Sequence, residues 1–418
     1  MKTYVLAGAS SRGFHMYASA IVKRYGDCAK LGAIFDKNSM RAKFVRDSLD
    51  PSIPVYTDFD AMLRQVRPDT VIVTTMDSVH HEYIARALDF GCDVISEKPM
   101  TIDAQKCREI FEAEKRSGKK IIVTFNCRFM PYVKKVKELL DGGAVGKILS
   151  VDFQWLLDRH HGADYFRRWH KVMANSGGLL LTKATHHFDM ANWWIGQAPE
   201  KVYANGQLDF YGPNGSGGKS FHDRCRGCPK FKTCDLAFEG FDDLAGEQAN
   251  AFLNGMYFIP EKEDGYRRDQ CVFAQSDIYD NMSLSVRYHG GVLMTYSLHA
   301  FAPYEGWRVA FNGTRGRLEA YQNHRGFGSD DPMNHIAIFT PDGARQVLDF
   351  PKATGMHGGA DDILIEWLLR EKPADPLNQL SGSYDGAMSL LIGAAANLSI
   401  AQDKPIYIND LVNCDDYR

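Results

Sequence analysis

The first third of the chain alternates short β-branched apolar runs with stretches of helical period. Strands are predicted at Thr3–Ala7, Leu31–Phe35, Thr70–Thr74, Asp93–Ser96 and Lys120–Phe125, with helices at Met16–Tyr25, Asp60–Val66, His80–Phe90 and Asp103–Ser117. Strands joined by such helices run parallel, because only a long crossover returns the chain to the same side of a sheet. The pattern is that of an α/β chain opening on a doubly wound, Rossmann-type parallel sheet, assigned to residues 1–126.

After Pro131 the pattern changes. A helix at Val133–Leu140 and a turn at Asp141–Gly146 lead into an alternating strand at Ile148–Leu156. Further strands at Ser283–Tyr288, Val292–Ala300, Trp307–Asn312 and Arg317–Tyr321 have hairpin-like spacing, with Gly290, Gly291 and Gly313 as turn signals. Residues 127–418 are therefore expected to form an α+β domain around a large open antiparallel sheet, used for substrate binding and oligomerisation. Asp361–Arg370 and Tyr384–Ile400 read as helices able to pack back on the first domain. The stretch 211–268, rich in Gly, charge and Cys, reads as an insertion with little regular structure.

A length of 418 residues exceeds one ordinary core and agrees with two domains. With 44% hydrophobic and 24% charged residues, the chain is neither a disordered tail nor a membrane protein. The net charge of -3 and the scattered Lys and Arg give no reason to expect nucleic acid as a partner. The apolar run Tyr4–Ala7 is too short for a signal segment, so a cytoplasmic location is expected. There most of the nine cysteines would be buried thiols.

The first strand runs into Gly8-Ala9-Ser10-Ser11-Arg12-Gly13 and then a helix. In a dinucleotide fingerprint the first glycine makes the tight turn, the second admits the pyrophosphate and the third packs the helix closely. Ser10 stands at the second position; its N–H and hydroxyl can still meet a phosphate at the helix N-terminus. The second strand ends at Asp36, where a carboxylate accepts hydrogen bonds from ribose hydroxyls and repels a 2′-phosphate. NAD is thus favoured over NADP. Alone, the turn could be an ordinary strand-to-helix connection and Asp36 a helix cap.

The strand Asp93–Ser96 delivers Glu97-Lys98-Pro99 to the carboxyl end of the sheet, where open α/β sheets bind ligands. A lysine on a loop is usually a solvated charge. The residue before proline is restricted, however, and a fixed Lys98 can bind a substrate hydroxyl and ease its deprotonation.

With these motifs, Asp77-Ser78-Val79-His80, Asn126-Cys127-Arg128-Phe129 and the segment from Ser176-Gly177-Gly178 to His186 and Asp189, the chain resembles the Gfo/Idh/MocA family (glucose-fructose oxidoreductase/inositol dehydrogenase) over nearly its whole length. The resemblance implies a Rossmann domain joined to an open-faced β-sheet domain, redox chemistry on sugars or cyclitols with a nicotinamide, and a homodimer or homotetramer built through the open sheet. Thr75, His80, Glu97 and Asn126 are expected on the cofactor side, and Arg128 beside them within reach of substrate.

Typical members carry an aspartate and a histidine one helical turn apart. His186 matches the histidine, but Thr182 stands in place of the aspartate and Lys183 follows it. At four-residue spacing Thr182 and His186 share a helix face, with Lys183 and His187 on a neighbouring stripe. His186 is the preferred acid or base, because an unperturbed imidazole titrates near neutrality. Lys183 assists Lys98 or points to solvent; His187 joins the chemistry or packs.

Upstream, the segment Asp158–Trp169 is dense in polar and aromatic groups, among them Tyr165, Arg168 and Trp169. It reads equally as a carbohydrate-binding wall and as an oligomer contact. His222, Cys225, Cys228 and Cys234 have spacing suited to a closed structural zinc site; an iron-sulfur cluster would need Cys271 as well. The leading functional expectation is an NAD-dependent oxidoreductase acting on a secondary hydroxyl of a sugar, glycoside or cyclitol. Two alternatives stand beside it. One is a redox-assisted glycoside hydrolase or lyase, which oxidises transiently, eliminates, and returns the hydride. The other is a non-catalytic dinucleotide sensor.

Overall fold

The computed structural model describes residues 1–215, 222–238, 246–370 and 374–417. Strands β1 (Lys2–Ala7), β2 (Ala29–Phe35), β3 (Val55–Tyr56), β4 (Thr70–Val73), β5 (Asp93–Ser96) and β6 (Ile121–Val123) form a sheet in the order β3-β2-β1-β4-β5-β6. Every pair is parallel. Helices cover both faces, which is why Val5, Leu6, Ile72 and Val73 are fully buried in near-continuous apolar runs. The winding reverses between β1 and β4, so the loops after them diverge and leave a crevice at their carboxyl ends. Within this sheet and its longer helices, β3 and the helix Ser39–Asp47 escape the sequence pattern. That helix is short and buries only Ala42 and Val45; its Asn38 cap accepts the Arg41 N–H at 3.0 Å.

Strands β7 (Ile148–Asp158), β8 (Pro199–Gln207), β9 (Asn281–Tyr288), β10 (Leu293–Ala302), β11 (Glu305–Gly313), β12 (Gly316–Arg325), β13 (Met333–Phe339), β14 (Arg345–Pro351) and β15 (Ile406–Tyr407) form the second sheet. Its order is β14-β13-β12-β11-β7-β10-β9-β8-β15. The expected all-antiparallel sheet is corrected to a mixed one, because β7 inserts between β10 and β11 and runs parallel to β10. Alternating burial along β9 and β10 buries one face under the helices Ala184–Ile195 and Ser383–Gln402 and leaves the other open.

The chain's last third returns to the first sheet. The helix Ala360–Leu369 accepts a hydrogen bond from the Tyr4 hydroxyl at its Leu368 carbonyl, and Arg24 pairs with Asp362 at 2.6 Å. The stretch 211–268, of which 216–221 and 239–245 lie outside the described residues, is also more regular than its composition predicts, with helices Gly246–Leu253 and Glu261–Asp264. It docks on the first domain: the Phe252 ring lies 5.7 Å from Phe14 and 5.9 Å from Phe44. Among the described residues no helix is long and apolar enough to cross a membrane.

Candidate active site

One cavity of 1190 Å³ opens between the carboxyl ends of the first sheet and the covered face of the second. Gly8, Ser10, Ser11, Arg12, Asp36, Thr75, His80, Glu97, Lys98 and Asn126 all line it; Gly13 is buried behind the turn. Gly8 has φ +99°, and a Cβ there would lie 2.7 Å from the Thr75 N, so only glycine makes this turn against β4. The Ser10 hydroxyl accepts the Gly13 N–H at 3.0 Å, which leaves its own proton for a ligand. Asp36 accepts N–H bonds from Ala9 and Asn38, both at 2.8 Å, and burial raises its carboxyl above the usual range.

Arg12 is engaged by protein carboxylates. Its guanidinium donates to Glu97 at 2.8 Å and to Asp361 at 2.6 and 3.1 Å. Burial alone would raise Glu97, but Arg12 and the Tyr17 hydroxyl hold it below its ordinary value. Asn126 donates to Asp361 at 2.7 Å, while its Oδ1 is buried, without a partner, and in the cavity wall. Thr75 Oγ1 is in the same state. His80 sets its two ring nitrogens against the Thr75 and Pro99 carbonyls, at 3.0 and 2.9 Å, and so joins the ends of β4 and β5. A glycine cradle, a carboxylate at the end of β2 and unpartnered polar atoms between them fit a nicotinamide dinucleotide.

At the other end of the cavity, the helix expected from Ser176-Gly177-Gly178 onward to His186 and Asp189 is broken. Leu179–Thr182 and Ala184–Ile195 meet at Lys183, where the His186 N–H bonds the Lys183 carbonyl at 3.3 Å instead of that of Thr182. The break leaves Thr182, Lys183, His186 and His187 all lining the cavity, on two neighbouring stripes of the segment. It also exposes the Thr182 carbonyl, which accepts the Lys98 Nζ proton at 2.8 Å. Burial pushes the Lys98 amine down to about 8, with Lys183 adding to the fall and Asp77 opposing it. Asp77 is buried with Oδ2 unpartnered in the cavity wall; burial pushes it up to about 6 against the pull of His80 and Lys98.

The expectation that His186 needs little tuning is corrected. Burial, with Lys98 and Lys183 nearby, holds both His186 and His187 well below the usual imidazole value, so both are neutral. His187 stacks on Trp155 at 3.7 Å and shares a 2.6 Å hydrogen bond with the Tyr296 hydroxyl, which fixes its plane. The Lys183 ammonium lies 5.5 Å over the same Trp155 ring.

Tyr165, Arg168 and Trp169 line the cavity. Arg168 is braced by Asp164 at 2.7 Å and Trp169 stacks on His170 at 3.6 Å. Arg128 is different: it is only 2% exposed and lies outside the lining. It donates to both Asp189 oxygens at 2.9 and 2.6 Å and to Asp385 at 3.0 Å, so its expected contact with substrate is corrected to a structural tie. The cavity also holds groups to which the sequence reading gave no role: Asp77, Trp155, the His161–Glu305 pair at 2.9 Å, and His324. Asp77 and His161 stood inside segments already singled out. Glu305 and His324 are brought in by β11 and β12, and no local signal marks them.

The zinc expectation is not supported among the described residues. His222 turns its Nδ1 to the Arg224 carbonyl at 2.9 Å, and Cys225 Sγ accepts from Arg167 at 3.4 Å. Cys225, Cys228, Cys234 and Cys271 are in no disulfide. Among the described residues no group of three or more His, Cys, Asp or Glu side chains is gathered to hold a metal ion.

Residues 2–125 match the model of an oxidoreductase family with an NAD-binding Rossmann fold, and residues 137–408 match that family's C-terminal alpha/beta domain. The chain belongs to the Gfo/Idh/MocA oxidoreductase family. Among relatives of this family, oxidoreductase YteT of Bacillus subtilis is 34% identical over 98% of this chain and 99% of its own. An inositol 2-dehydrogenase of Rhizobium meliloti is 29% identical over 35% of this chain and 42% of its own. Among solved Gfo/Idh/MocA-like folds, the WlbA dehydrogenase of Bordetella pertussis, in complex with NADH and UDP-GlcNAcA, superposes with a TM-score of 0.65 at 16% identity, covering 97% of this chain and 98% of its own. An Agrobacterium radiobacter oxidoreductase in complex with NAD+, L-tartaric acid and magnesium gives 0.65 at 14% identity, covering 98% and 99%.

Proposed function

We propose that the protein moves a hydride between NAD and a secondary hydroxyl carbon of a sugar, glycoside or cyclitol. One observation carries this reading: the Lys98 amine faces the same cavity as the Gly8 turn and Asp36, and its pKa lies near 8. The names of relatives support the substrate class, since one is an inositol 2-dehydrogenase. A nicotinamide held at the first sheet's carboxyl ends supplies the hydride acceptor. Asn126 Oδ1 and Thr75 Oγ1 would bind its polar edge, and Asp36 its adenosine ribose.

In the oxidising direction the carbinol carbon loses a hydride and its hydroxyl loses a proton. Lys98 takes that proton at Nζ. With a pKa near 8, about a tenth of the amine is neutral at pH 7. Thr182 fixes the amine's direction through its carbonyl, and Asp77 stabilises the ammonium that forms. Neutral His186 hydrogen-bonds the same hydroxyl and aligns it. Trp155, Tyr165 and Trp169 offer flat apolar faces to a ring whose hydroxyls meet His161 and Arg168.

The test offers purified protein a panel of sugars, glycosides and cyclitols with NAD. NADH accumulating in proportion to a ketone product is the expected result. Release of an aglycone without NADH accumulation would replace this reading with redox-assisted cleavage, and binding of NADH without turnover of any polyol would make the protein a sensor.

A further inference from the structure

The cofactor reading leaves unexplained why an insertion within 211–268 reaches the far end of the same cavity. Tyr257, Glu263, Asp264 and Tyr266 line it beside Asp36, Asn38 and Arg41. They are held there by several contacts. Asn38 Nδ2 donates to the Pro260 carbonyl at 2.9 Å and Arg41 Nε to the Met256 carbonyl at 3.2 Å. Gly255 lies so close to Phe44 that a Cβ would fall 2.1 Å from its ring.

The acidic pair of this segment meets a specific set of donors. Glu263 Oε1 accepts the Ser39 N–H at 2.9 Å; Oε2 accepts the Ser39 hydroxyl at 3.1 Å and the Met40 N–H at 3.0 Å. Asp264 accepts from Arg41 Nη2 at 2.7 Å, and Arg41 Nη1 lies 3.5 Å from Asp36. A helix start, a serine hydroxyl and an arginine just after the second strand are what a 2′-phosphate needs when a Rossmann site takes NADP. All are present here, and protein carboxylates occupy them.

We propose that Glu263 and Asp264, carried by the insertion, set which dinucleotide this protein accepts, by filling the 2′-phosphate subsite with fixed negative charge. Asp36 would face the ribose itself; Glu263 and Asp264 neutralise Arg41 and the helix N–H groups that would otherwise stabilise a phosphate. The inference rests on the cavity being a nicotinamide dinucleotide site.

The experiment measures NADH and NADPH binding to the full chain by nucleotide fluorescence, without substrate, for the wild type, E263Q, D264N and the double variant. The amides keep the shape of the carboxylates and remove their charge. The wild type is expected to prefer NADH. In the double variant the NADPH-to-NADH ratio of Kd values should fall by about tenfold or more, the size of one added charge-assisted hydrogen bond, with NADH affinity nearly unchanged. Each single variant should give part of that shift, and these serve if the double variant does not fold. A ratio unmoved in folded variants overturns the inference and leaves the cofactor reading intact. Binding of neither dinucleotide by the wild type fails the cofactor reading instead.

Discussion

Lys98 Nζ donates its 2.8 Å hydrogen bond to the Thr182 carbonyl, a backbone oxygen freed by the helix break at Lys183. The amine projects from the end of a parallel strand, and the carbonyl belongs to the segment that covers the second sheet. The proposed base is therefore aimed only when the two halves of the molecule are together. Its environment is set by burial and by two opposing charges, Asp77 and Lys183.

Replacing Lys98 with Ala should reduce kcat by about 10²–10⁴, the range for loss of a general base. NADH binding measured by fluorescence should change little. Retained turnover would remove Lys98 from the chemistry.

Oxidation requires the neutral amine, so kcat should rise with pH through a midpoint near 8. The Asp77 carboxylate favours the ammonium form, so Asp77→Asn should move that midpoint to lower pH. A pH–rate profile of the two proteins checks the sign. A midpoint that stays or rises in the variant would contradict the assigned coupling.

Arg128→Met should leave Asp189 buried without its cation and destabilise the fold by about 3–5 kcal/mol. Asp385 and the Asn378 carbonyl also lose a donor. Denaturant melts would show the loss, whereas a substrate-binding role would appear as a raised KM at unchanged stability.

Gly255→Val should force the insertion away from Phe44 at a cost of about 1–3 kcal/mol, typical of overpacking. A lower NADPH-to-NADH ratio of Kd values is the expected functional sign, because the segment behind Gly255 carries Glu263 and Asp264 to the cavity.

Much of this was legible in the sequence because it is local. The apolar runs around Val71 and Val94 declare buried parallel strands, and the turn at Gly8 and the acid at Asp36 lie at the ends of such runs. What was hidden is non-local. The parallel placement of β7 beside β10 depends on pairing across more than a hundred residues. Arg128 is expected from sequence within reach of substrate, because its partners Asp189 and Asp385 are remote along the chain. An ordinary titration for His186 did not survive folding, since burial beside Lys98 and Lys183 is a tertiary fact. The cysteine spacing suited a metal, yet spacing does not fix where side chains turn, and His222 bonds its own loop.

Asp361 lies 349 residues after Arg12, the residue of the glycine turn that it holds. It also fixes Asn126, so the first sheet's ligand end is finished by a helix made more than two hundred residues after that sheet. On the ribosome, the nucleotide-binding half must therefore emerge and wait, with Arg12 and Asn126 lacking that anchor while the second sheet is still being translated. Stalled chains ending before residue 360 should consequently capture NADH poorly even when their six-stranded sheet has formed.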